Sequence, residues 1–330
     1  MLIAIEVGLL ILVPCVAFVA LWLRDLMSAV IVLGAYSFLM CLVWTGMGAV
    51  DVAFTEAAVG AGVSTVFFIA VLFNTTRNIT FNPLDVSSKL VALVACLGFG
   101  YVLLQGVSDL PDWGDPYSPV NAGVSTYYIE NAYADTHVPN LVTTVLADYR
   151  SVDTMLETTV VLIALLGIFM ILKKDRPAQS DSSDTQAHDS LIIRLSARFI
   201  APFIQLFGLY VVAHGHHSPG GGFQGGVSLG TGLILMAMSM GMASAKRLLS
   251  IPRMIILAAV GVLIYAGWGA VPLVYNGYFL DYSVWESVFG SMARSHSMLI
   301  VEIGVALTVM CGMYGIYMSL VSDGGMQEGL

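Results

Sequence analysis

Long apolar runs separated by short polar segments dominate the chain. A membrane-spanning helix needs about 20 consecutive, mostly apolar residues. The runs are continuously apolar and do not alternate with polar positions, which excludes the strands of a membrane β-barrel. The pattern therefore predicts an all-α integral membrane protein with about nine transmembrane helices. The predicted spans cover residues 2–23, 26–45, 52–73, 89–105, 156–172, 199–213, 223–243, 252–273 and 297–320.

Composition supports a lipid environment. Of the 330 residues, 58% are hydrophobic and only 11% are charged, whereas soluble domains carry about 25% charged residues. The net charge of −9 argues against nucleic-acid binding, which needs clustered Lys and Arg. The four cysteines lie inside apolar runs without a CxxC pair, so they are expected to pack as small hydrophobes. We expect a multi-pass protein of the cell membrane.

The distribution of basic residues predicts the orientation. Lys and Arg concentrate in cytoplasmic loops. With nine spans and the N-terminus outside, all of the 13 basic residues except Arg150 and Arg294 fall on the cytoplasmic side. The first apolar run has no basic leader and no cleavage site, so it is expected to be the first span and not a signal peptide. The chain is thus predicted to place its C-terminus in the cytoplasm.

Polar segments divide the predicted spans into groups. Residues 1–78 form a predicted three-helix module, and residues 79–172 a two-helix module with a long external loop. Residues 173–190 (KKDRPAQSDSSDTQAHDS) are polar and poor in aromatic residues, which predicts a disordered cytoplasmic linker. Residues 191–330 form a predicted four-helix domain. Within the external loop, residues 139–150 favour a short helix on the membrane face.

Carboxylates inside the predicted spans are the first candidates for function. A charged group at the bilayer centre costs about 2.5–3.5 kcal/mol on insertion scales. Glu56, Glu302, Glu157 and Glu6 all fall in the outer half of the membrane, which suggests an outward-facing vestibule for cations or protons. The alternative is that they reach water at the interface and bind nothing. Glu56 and Glu302 lie deepest in the predicted spans, which favours a role in ion or proton transfer. For Glu157 the two interpretations are equally supported, and for Glu6 the interfacial alternative is favoured.

Two further charged residues lie near the mouth of the fifth predicted span. Asp153 is one helical turn before Glu157 and is a candidate for the ion pathway. Arg150 is three residues before Asp153, and the two side chains can pair at the membrane surface. Exposed ion pairs contribute little to stability, so Arg150 is expected to have a positional role and not a catalytic one.

A histidine-rich segment precedes the seventh predicted span. Residues 213–226 read AHGHHSPGGGFQGG. His214, His216 and His217 suit a proton relay, because histidine titrates near neutral pH. A polar, glycine-rich turn between two helices explains them equally well. A metal site is not expected, because zinc sites use wider ligand spacing and no fourth ligand is apparent.

The glycines of this segment predict close helix packing. Gly222, Gly226 and Gly230 recur every four residues, a small-xxx-small face typical of helices that approach closely in membranes. Pro219 is expected to end the preceding helix. The glycines do not form a nucleotide-binding loop, since no Lys-Ser/Thr follows them and no strand precedes them.

Three blocks of the chain carry a family resemblance. Residues 51–65 (DVAFTEAAVGAGVST) resemble the C-terminal domain of the large subunit of Mrp-type antiporters, also found as a small subunit of membrane-bound hydrogenases. Residues 140–164 (NLVTTVLADYRSVDTMLETTVVLIA) resemble the segment that follows it in those families. Residues 191–232 closely resemble the B-type subunit family of Mrp antiporters. These blocks usually occur on separate chains, and here they are fused.

The resemblance implies a non-catalytic membrane subunit of a Na⁺/H⁺ antiporter assembly related to respiratory complex I. Its expected partners are other subunits of that assembly, Na⁺ and H⁺, and the lipid bilayer, without a cofactor or a metal centre. The large antiporter-like domain with its buried lysines is not in this sequence, and no lysine lies inside a predicted span, so the chain is not expected to transport alone. By motif, the resemblance assigns family positions to Glu56, to Asp148, Arg150, Asp153 and Glu157, and to His214, Gly215, His216, Pro219, 220–223 and 225–226.

Two other functions remain open. The same module occurs in hydrogenases and other complex I-like oxidoreductases, in which the whole assembly is an enzyme. A purely structural membrane scaffold is the third possibility. A self-contained transporter is disfavoured, because the sequence shows no inverted repeat and no pair of broken helices.

Overall fold

All the regular secondary structure in the described part of the chain is helical. The computed structural model describes residues 2–73, 75–79, 85–112, 114–172 and 191–322, and the predicted linker at 173–190 lies outside them. The α-helices are α1 (Leu2–Trp22), α2 (Leu26–Gly46), α3 (Val50–Thr55), α4 (Thr65–Phe73), α5 (Val86–Val107), α6 (Thr126–Thr136), α7 (Leu141–Thr144), α8 (Ser151–Leu172), α9 (Leu191–His214), α10 (Gly222–Met240), α11 (Met242–Leu248), α12 (Ile251–Val274), α13 (Glu286–Phe289) and α14 (Ala293–Val321).

The predicted membrane fold is confirmed. Within the described ranges, nine helical stretches are long and apolar enough to cross a membrane, and these ranges contain no β-strand. The spans correspond to α1, α2, α3 with α4, α5, α8, α9, α10, α12 and α14. Several begin earlier than predicted, because the helix continues through a polar first turn that carries no hydrophobic signal, as at Ser151. The sides on which the two termini lie stay a prediction, as do the domain boundaries.

Helix α14 forms the centre of the bundle. In an apolar 18-residue window of the stretch Tyr282–Val321 that contains it, 72% of the residues are buried, whereas the corresponding windows of Ile5–Trp22 and Val86–Val107 have none. Helices α8, α10 and α12 pack around α14, and α9 packs on the outer side of α10. Large apolar side chains of α1, α5 and α9 are exposed, for example Phe18, Leu104 and Phe203. These faces suit lipid or partner subunits.

The glycine face of α10 packs directly against α14. A Cβ atom on Gly226 would lie 2.8 Å from the carbonyl oxygen of Ala306 and 2.9 Å from Cβ of Val309. The neighbouring glycine, Gly230, would meet Met310 and Met313 at 3.2 Å. The two helices therefore meet at backbone contact, which is the packing that small residues allow in a membrane.

Two stretches depart from regular α-helix. Residues Glu56–Ser64 form a π-helix between α3 and α4, a rare element that is frequent at functional sites. The second stretch coincides with the predicted surface helix. There the Asn140 side chain caps α7 by accepting hydrogen bonds from the N–H groups of Val142 and Thr143. Helix α7 then continues as the π-helix Val145–Tyr149. Helix α6 was not predicted from the sequence.

Candidate functional site

A cavity of about 490 Å³ lies among α3, α8, α10 and α14, beside the loop that joins α9 to α10. Three carboxylates line it, and its lining contains no Lys, Arg or His. Two of these carboxylates, Glu157 and Glu302, are predicted site residues, and the third is Asp51. The full lining is Asp51, Val52, Thr55, Val142, Thr143, Leu146, Ala147, Thr154, Glu157, Val160, Val161, Gly220, Gly221, Gly222, Phe223, Gln224, Tyr265, Val301, Glu302 and Val305.

Glu302 is the most buried of the three. Its side chain projects from α14, and the residue is only 6% exposed. One carboxylate oxygen, Oε2, has no hydrogen-bond partner among the residues that the structure describes. The nearest basic atom to this oxygen is Nε2 of His216, at 3.6 Å. This histidine nitrogen has no hydrogen-bond partner either, so two buried polar groups face each other without a direct hydrogen bond.

The loop that carries His216 is held in place by the segment before α7. The Asn140 side-chain amide donates hydrogen bonds to the carbonyl oxygens of Gly215 (3.0 Å) and Ser218 (3.1 Å). The Thr143 hydroxyl donates to the same Gly215 carbonyl at 2.8 Å, and the Asn140 N–H donates to the His216 carbonyl at 3.0 Å. These bonds fix the position of His216 against Glu302.

Glycine is required at the tightest point of this loop. Gly220 and Gly221 have φ angles of 155° and 123°, a region that residues with a Cβ rarely adopt. A Cβ on Gly215 would lie 2.6 Å from Cα of Gly221. The preceding helix, α9, ends at His214, before Pro219. Part of the glycine-rich sequence therefore shapes the turn, whereas Gly222 and Gly226 pack α10 on α14 and Gly225 packs it on α9.

Only one of the three predicted histidines contacts Glu302. Burial lowers the pKa of His216 to about 4, and the neighbouring His217 and His296 act in the same direction. His214 instead stacks on Tyr210, with ring centroids 4.9 Å apart, and His217 is exposed. The proton-relay role predicted for all three histidines has geometric support at His216 alone.

Asp51 links the cavity to the loop. Its Oδ1 accepts a hydrogen bond from the Gly220 N–H at 3.2 Å and a longer one from the Asn140 amide at 3.4 Å. One turn further along the same span, the Gln224 amide donates to the Thr55 hydroxyl at 2.9 Å. Carboxylate, hydroxyl and amide oxygens thus line the side of the cavity formed by α3 and α10.

Glu157 lies at the edge of the cavity, where α8 is exposed. The nearby Tyr265 is fully buried, and its hydroxyl donates to the Ser151 carbonyl at 2.8 Å. Arg150 and Asp153 form the predicted ion pair, with 2.6 Å between Nη2 and Oδ2, and both side chains are largely solvent-accessible. Neither residue lines the cavity.

The structure does not bring all four predicted carboxylates together in this cavity. Glu56 lies on the π-helix, and its side chain covers Gly60 next to the hydroxyl of Ser37 on α2. It does not line the cavity that contains Glu157 and Glu302. Glu6 is exposed on α1. The π-helical turn directs Glu56 towards α2, whereas the cavity opens on the side of α3 that faces α10.

A buried ion pair stands beside the site. Arg294 pairs with both oxygens of Asp148, whose side chain is only 3% exposed. Burial raises the pKa of Asp148, although Arg294 acts in the opposite direction. The Tyr149 hydroxyl donates to Asp135 at 2.5 Å, and the Arg294 guanidinium lies 5.6 Å from the centre of the Tyr149 ring. These contacts hold the π-helix after α7 against the start of α14.

Four residues at or beside the site were not predicted as site residues from the sequence: Asp51, Asn140, Gln224 and Arg294. For Asp51 and Asn140 the sequence offered one signal of a functional role, because each is the first residue of a segment that resembles a known family. Asn140 also precedes a helix as a typical N-cap residue. Arg294 stood out only as a basic residue on the predicted outer side.

Three family models match the chain. The MbhD model, which describes a subunit of MBH, matches residues 11–77, and the MbhE model, which describes another MBH subunit, matches residues 117–189. A third, described as "Domain related to MnhB subunit of Na+/H+ antiporter", matches residues 192–315. The matches follow each other along the chain in the order of the three resembling blocks.

Curated relatives are antiporter subunits. The probable K(+)/H(+) antiporter A/B subunit of Rhizobium meliloti (strain 1021) is 31% identical over 145 residues, which are 37% of this chain and 14% of that protein. The Na(+)/H(+) antiporter A1 subunit of Staphylococcus haemolyticus (strain JCSC1435) is 28% identical over 184 residues, which are 55% of this chain and 22% of that protein. In both cases the match covers less than a quarter of the relative's length.

Two solved structures share the fold. The Mrp complex from Dietzia sp. DQ12-45-1b contains a chain that is 27% identical, with a TM-score of 0.76 over 97% of this chain and 35% of that one. The membrane-bound sulfane sulfur reductase (MBS), an archaeal respiratory membrane complex, contains a chain that is 28% identical, with a TM-score of 0.50 over 71% of this chain and 98% of that one.

Proposed function

The chain belongs to the Mrp-type antiporter subunit family, and from this premise we propose that it is a membrane subunit of a multisubunit Na⁺/H⁺ antiporter related to respiratory complex I. Its role is to contribute to the ion pathway and to assembly with other membrane subunits. It acts as a transporter subunit and not as an enzyme.

The observation that carries this proposal is the buried carboxylate of Glu302. The residue is 6% exposed, and its Oε2 has no hydrogen-bond partner within the described ranges. It also lines a cavity that contains two further carboxylates. Isolated ionised groups are costly inside a membrane and, where they occur, they mark ion or proton paths. A carboxylate that exchanges a proton for a cation is the simplest chemistry that antiport requires.

The test is transport by the assembled complex. The complex is expressed with Glu302→Gln, which keeps the shape of the side chain and removes its charge. Antiport is measured in everted membrane vesicles as the collapse of a preformed pH gradient on addition of NaCl. We expect the Na⁺-dependent rate to fall by on the order of tenfold or more.

Glu6→Gln is the matched control, because it makes the same chemical change at an exposed position of α1. It should transport like the unmodified complex. Immunoblots must show equal amounts of the chain and its partner subunits in both variants. Antiport at the unmodified rate in Glu302→Gln, with normal assembly, contradicts a role for this carboxylate in the pathway and favours the purely structural scaffold.

A redox-driven assembly is the second candidate. It is favoured by the two MBH subunit models over residues 11–77 and 117–189 and by the likeness to a chain of a respiratory membrane complex. The two candidates differ in what drives the ion. In a redox-driven complex, purification of the chain brings down a subunit with metal–sulfur centres, and Na⁺ movement in vesicles needs an electron donor.

A further inference from the structure

We propose that His216 is the proton partner of Glu302: one proton is held between Glu302 Oε2 and His216 Nε2, and the imidazole passes a proton on to Ser295 when Glu302 ionises. This inference deepens the proposed function and rests on it, because it assigns a further residue to the same pathway. Its first readout is the protonation of Glu302 itself, which is measured without transport, so the two can fail separately.

The contact between the two side chains is buried and exclusive. His216 Nε2 lies 3.6 Å from Glu302 Oε2, and only 11% and 8% of the two side chains are exposed. Both atoms have almost no accessible surface, and neither has a hydrogen-bond partner among the described residues. Buried polar atoms normally have a partner in the protein or in ordered water. Because these two atoms leave no surface for water, each is the available partner of the other.

The facing atoms determine how many protons the pair holds. Without a proton, lone pairs of the nitrogen and the oxygen oppose each other, and with two protons two donors do. A single proton places a donor opposite an acceptor, and a hydrogen bond of this kind is strong in a low-dielectric interior. A rotation of either side chain that shortens the 3.6 Å separation by about 0.7 Å gives normal hydrogen-bond geometry. The buried pair is therefore stable with one proton.

At rest this proton belongs to Glu302. Burial lowers the pKa of His216 to about 4, so the imidazole is neutral near neutral pH and can accept a hydrogen bond from the carboxylic acid. The other ionisable groups that face the pair come from its loop, α14 and α3, and they are His217, His296 and Asp51. The residues of the α7 segment that hold the loop, Asn140 and Thr143, are uncharged. The two histidines oppose a positive charge on His216, and the Asp51 carboxylate repels a negative charge on Glu302, so a neutral pair is favoured.

A route for the proton leads from His216 to the start of α14. His216 Nδ1 lies 3.4 Å from the Ser295 hydroxyl, and Ser295 precedes Glu302 by two helical turns on the same face. When Glu302 ionises, its O–H bond breaks and an N–H bond forms at Nε2, while the Nδ1–H bond breaks and that proton passes to the hydroxyl. The hydroxyl can take part because it both accepts and donates hydrogen bonds. The next residue, His296, is exposed, which places the end of the route at the surface.

The two oxygens of Glu302 have different surroundings. A Cβ on Gly221 would lie 3.0 Å from Oε1, and Gly221 lines the cavity, whereas Oε2 faces His216. Proton transfer to His216 therefore uses Oε2 and not the oxygen beside Gly221. Asn140 and Thr143 hold the loop in this arrangement through the Gly215 carbonyl, so both are positioning residues.

Infrared spectroscopy of the purified complex tests the pair directly. A difference spectrum between acidic and alkaline buffer contains the C=O stretch of each carboxylic acid that loses its proton, and the band of Glu302 is the one that Glu302→Gln removes. Loss of a hydrogen bond from the acid raises this frequency. His216→Leu removes the acceptor and keeps a side chain in its place, so we expect the band at a higher frequency. His214→Leu is the matched control, because His214 stacks on Tyr210, and it should leave the band in place.

Two further variants separate positioning from proton transfer. Thr143→Val removes one hydrogen bond that holds the loop and should shift the band in the same direction by less; it replaces His216→Leu if that variant fails to assemble. Ser295→Ala keeps the contact of His216 with Glu302 and should leave the band in place. A positioned proton-transfer group contributes a factor of about 10²–10⁴ to a rate. In everted vesicles, Na⁺-dependent antiport should therefore fall at least about tenfold in His216→Leu, and less in Ser295→Ala, where water can replace the hydroxyl.

Three results overturn the proposal: no band that depends on Glu302, a band that keeps its frequency in both His216→Leu and Thr143→Val, or antiport at the unmodified rate in His216→Leu. Transport separates this inference from the proposed function. Antiport that requires Glu302, together with an unshifted band, refutes the pair and leaves the antiporter role intact. A shifted band in a complex that exchanges no Na⁺ for H⁺ supports the pair and refutes that role.

Discussion

Adding one methyl group to the glycine face of α10 should have effects that follow the measured spacing to α14. In Gly226→Ala, the new Cβ would lie 2.8 Å from the Ala306 carbonyl oxygen and 3.0 Å from Ala306 Cα. Both atoms belong to the backbone of a buried helix and cannot rotate away. Overpacking of this kind costs about 1–3 kcal/mol, and we expect a loss of stability in that range.

Alanine substitutions at two further glycines provide comparisons for this loss of stability. In Gly230→Ala the closest neighbours lie at 3.2 Å, so shifts of a few tenths of an ångström relieve the contact and the loss should be smaller. Gly267 on α12 has no atom within 4 Å of an added Cβ. Gly267→Ala should therefore be neutral or stabilise the chain by up to about 0.5–1 kcal/mol, because alanine favours helix more than glycine does.

The assay is unfolding of the purified chain in mixed micelles with increasing SDS, followed by circular dichroism. Free energies of unfolding should rank Gly267→Ala highest, then the unmodified chain, then Gly230→Ala, with Gly226→Ala lowest. If Gly226→Ala unfolds at the same SDS fraction as the unmodified chain, the two helices are not in backbone contact. The same destabilisation in Gly267→Ala would show that the effect is not specific to the helix interface.

Two other predictions concern charge and pH. Arg294→Gln leaves the buried Asp148 carboxylate unpaired and should destabilise the chain by about 3–5 kcal/mol, against about 0–1 kcal/mol for Arg150→Gln at an exposed pair. Because burial raises the pKa of Asp148, the folded variant retains a proton that the unfolded chain releases, and the loss measured in thermal melts should shrink as the pH falls. Burial lowers the pKa of His216 to about 4 from 6.5, so the unfolded chain binds the extra proton and stability should fall as the pH drops through that window. In His216→Gln, the melting temperature should depend less on pH between about 4 and 6.5. An unchanged dependence on pH would contradict burial of a neutral imidazole.

Local sequence determined the architecture of this protein. Runs of about 20 apolar residues have no stable position in water, so they become spans wherever they occur. The small-xxx-small spacing of Gly222, Gly226 and Gly230 marked the packing face of α10, because residues four apart lie on the same side of a helix. The carboxylate of Glu302 indicated a functional position, since it lies deep in an apolar segment.

Only the tertiary structure decided which of these residues form a site. Asp51, Glu157 and Glu302 are far apart in the chain, and they line one cavity because α8 and α10 pack on α14 and α3 packs beside α10. Glu56 is equally deep by sequence, yet the π-helix turns it towards Ser37 and away from that cavity. Of the three histidines, His216 alone lies beside Glu302, because Asn140 holds the loop that carries it. Apolar patterning specifies that a helix is buried in the membrane, but the neighbour of each polar side chain depends on contacts between distant segments, and these have no local signal.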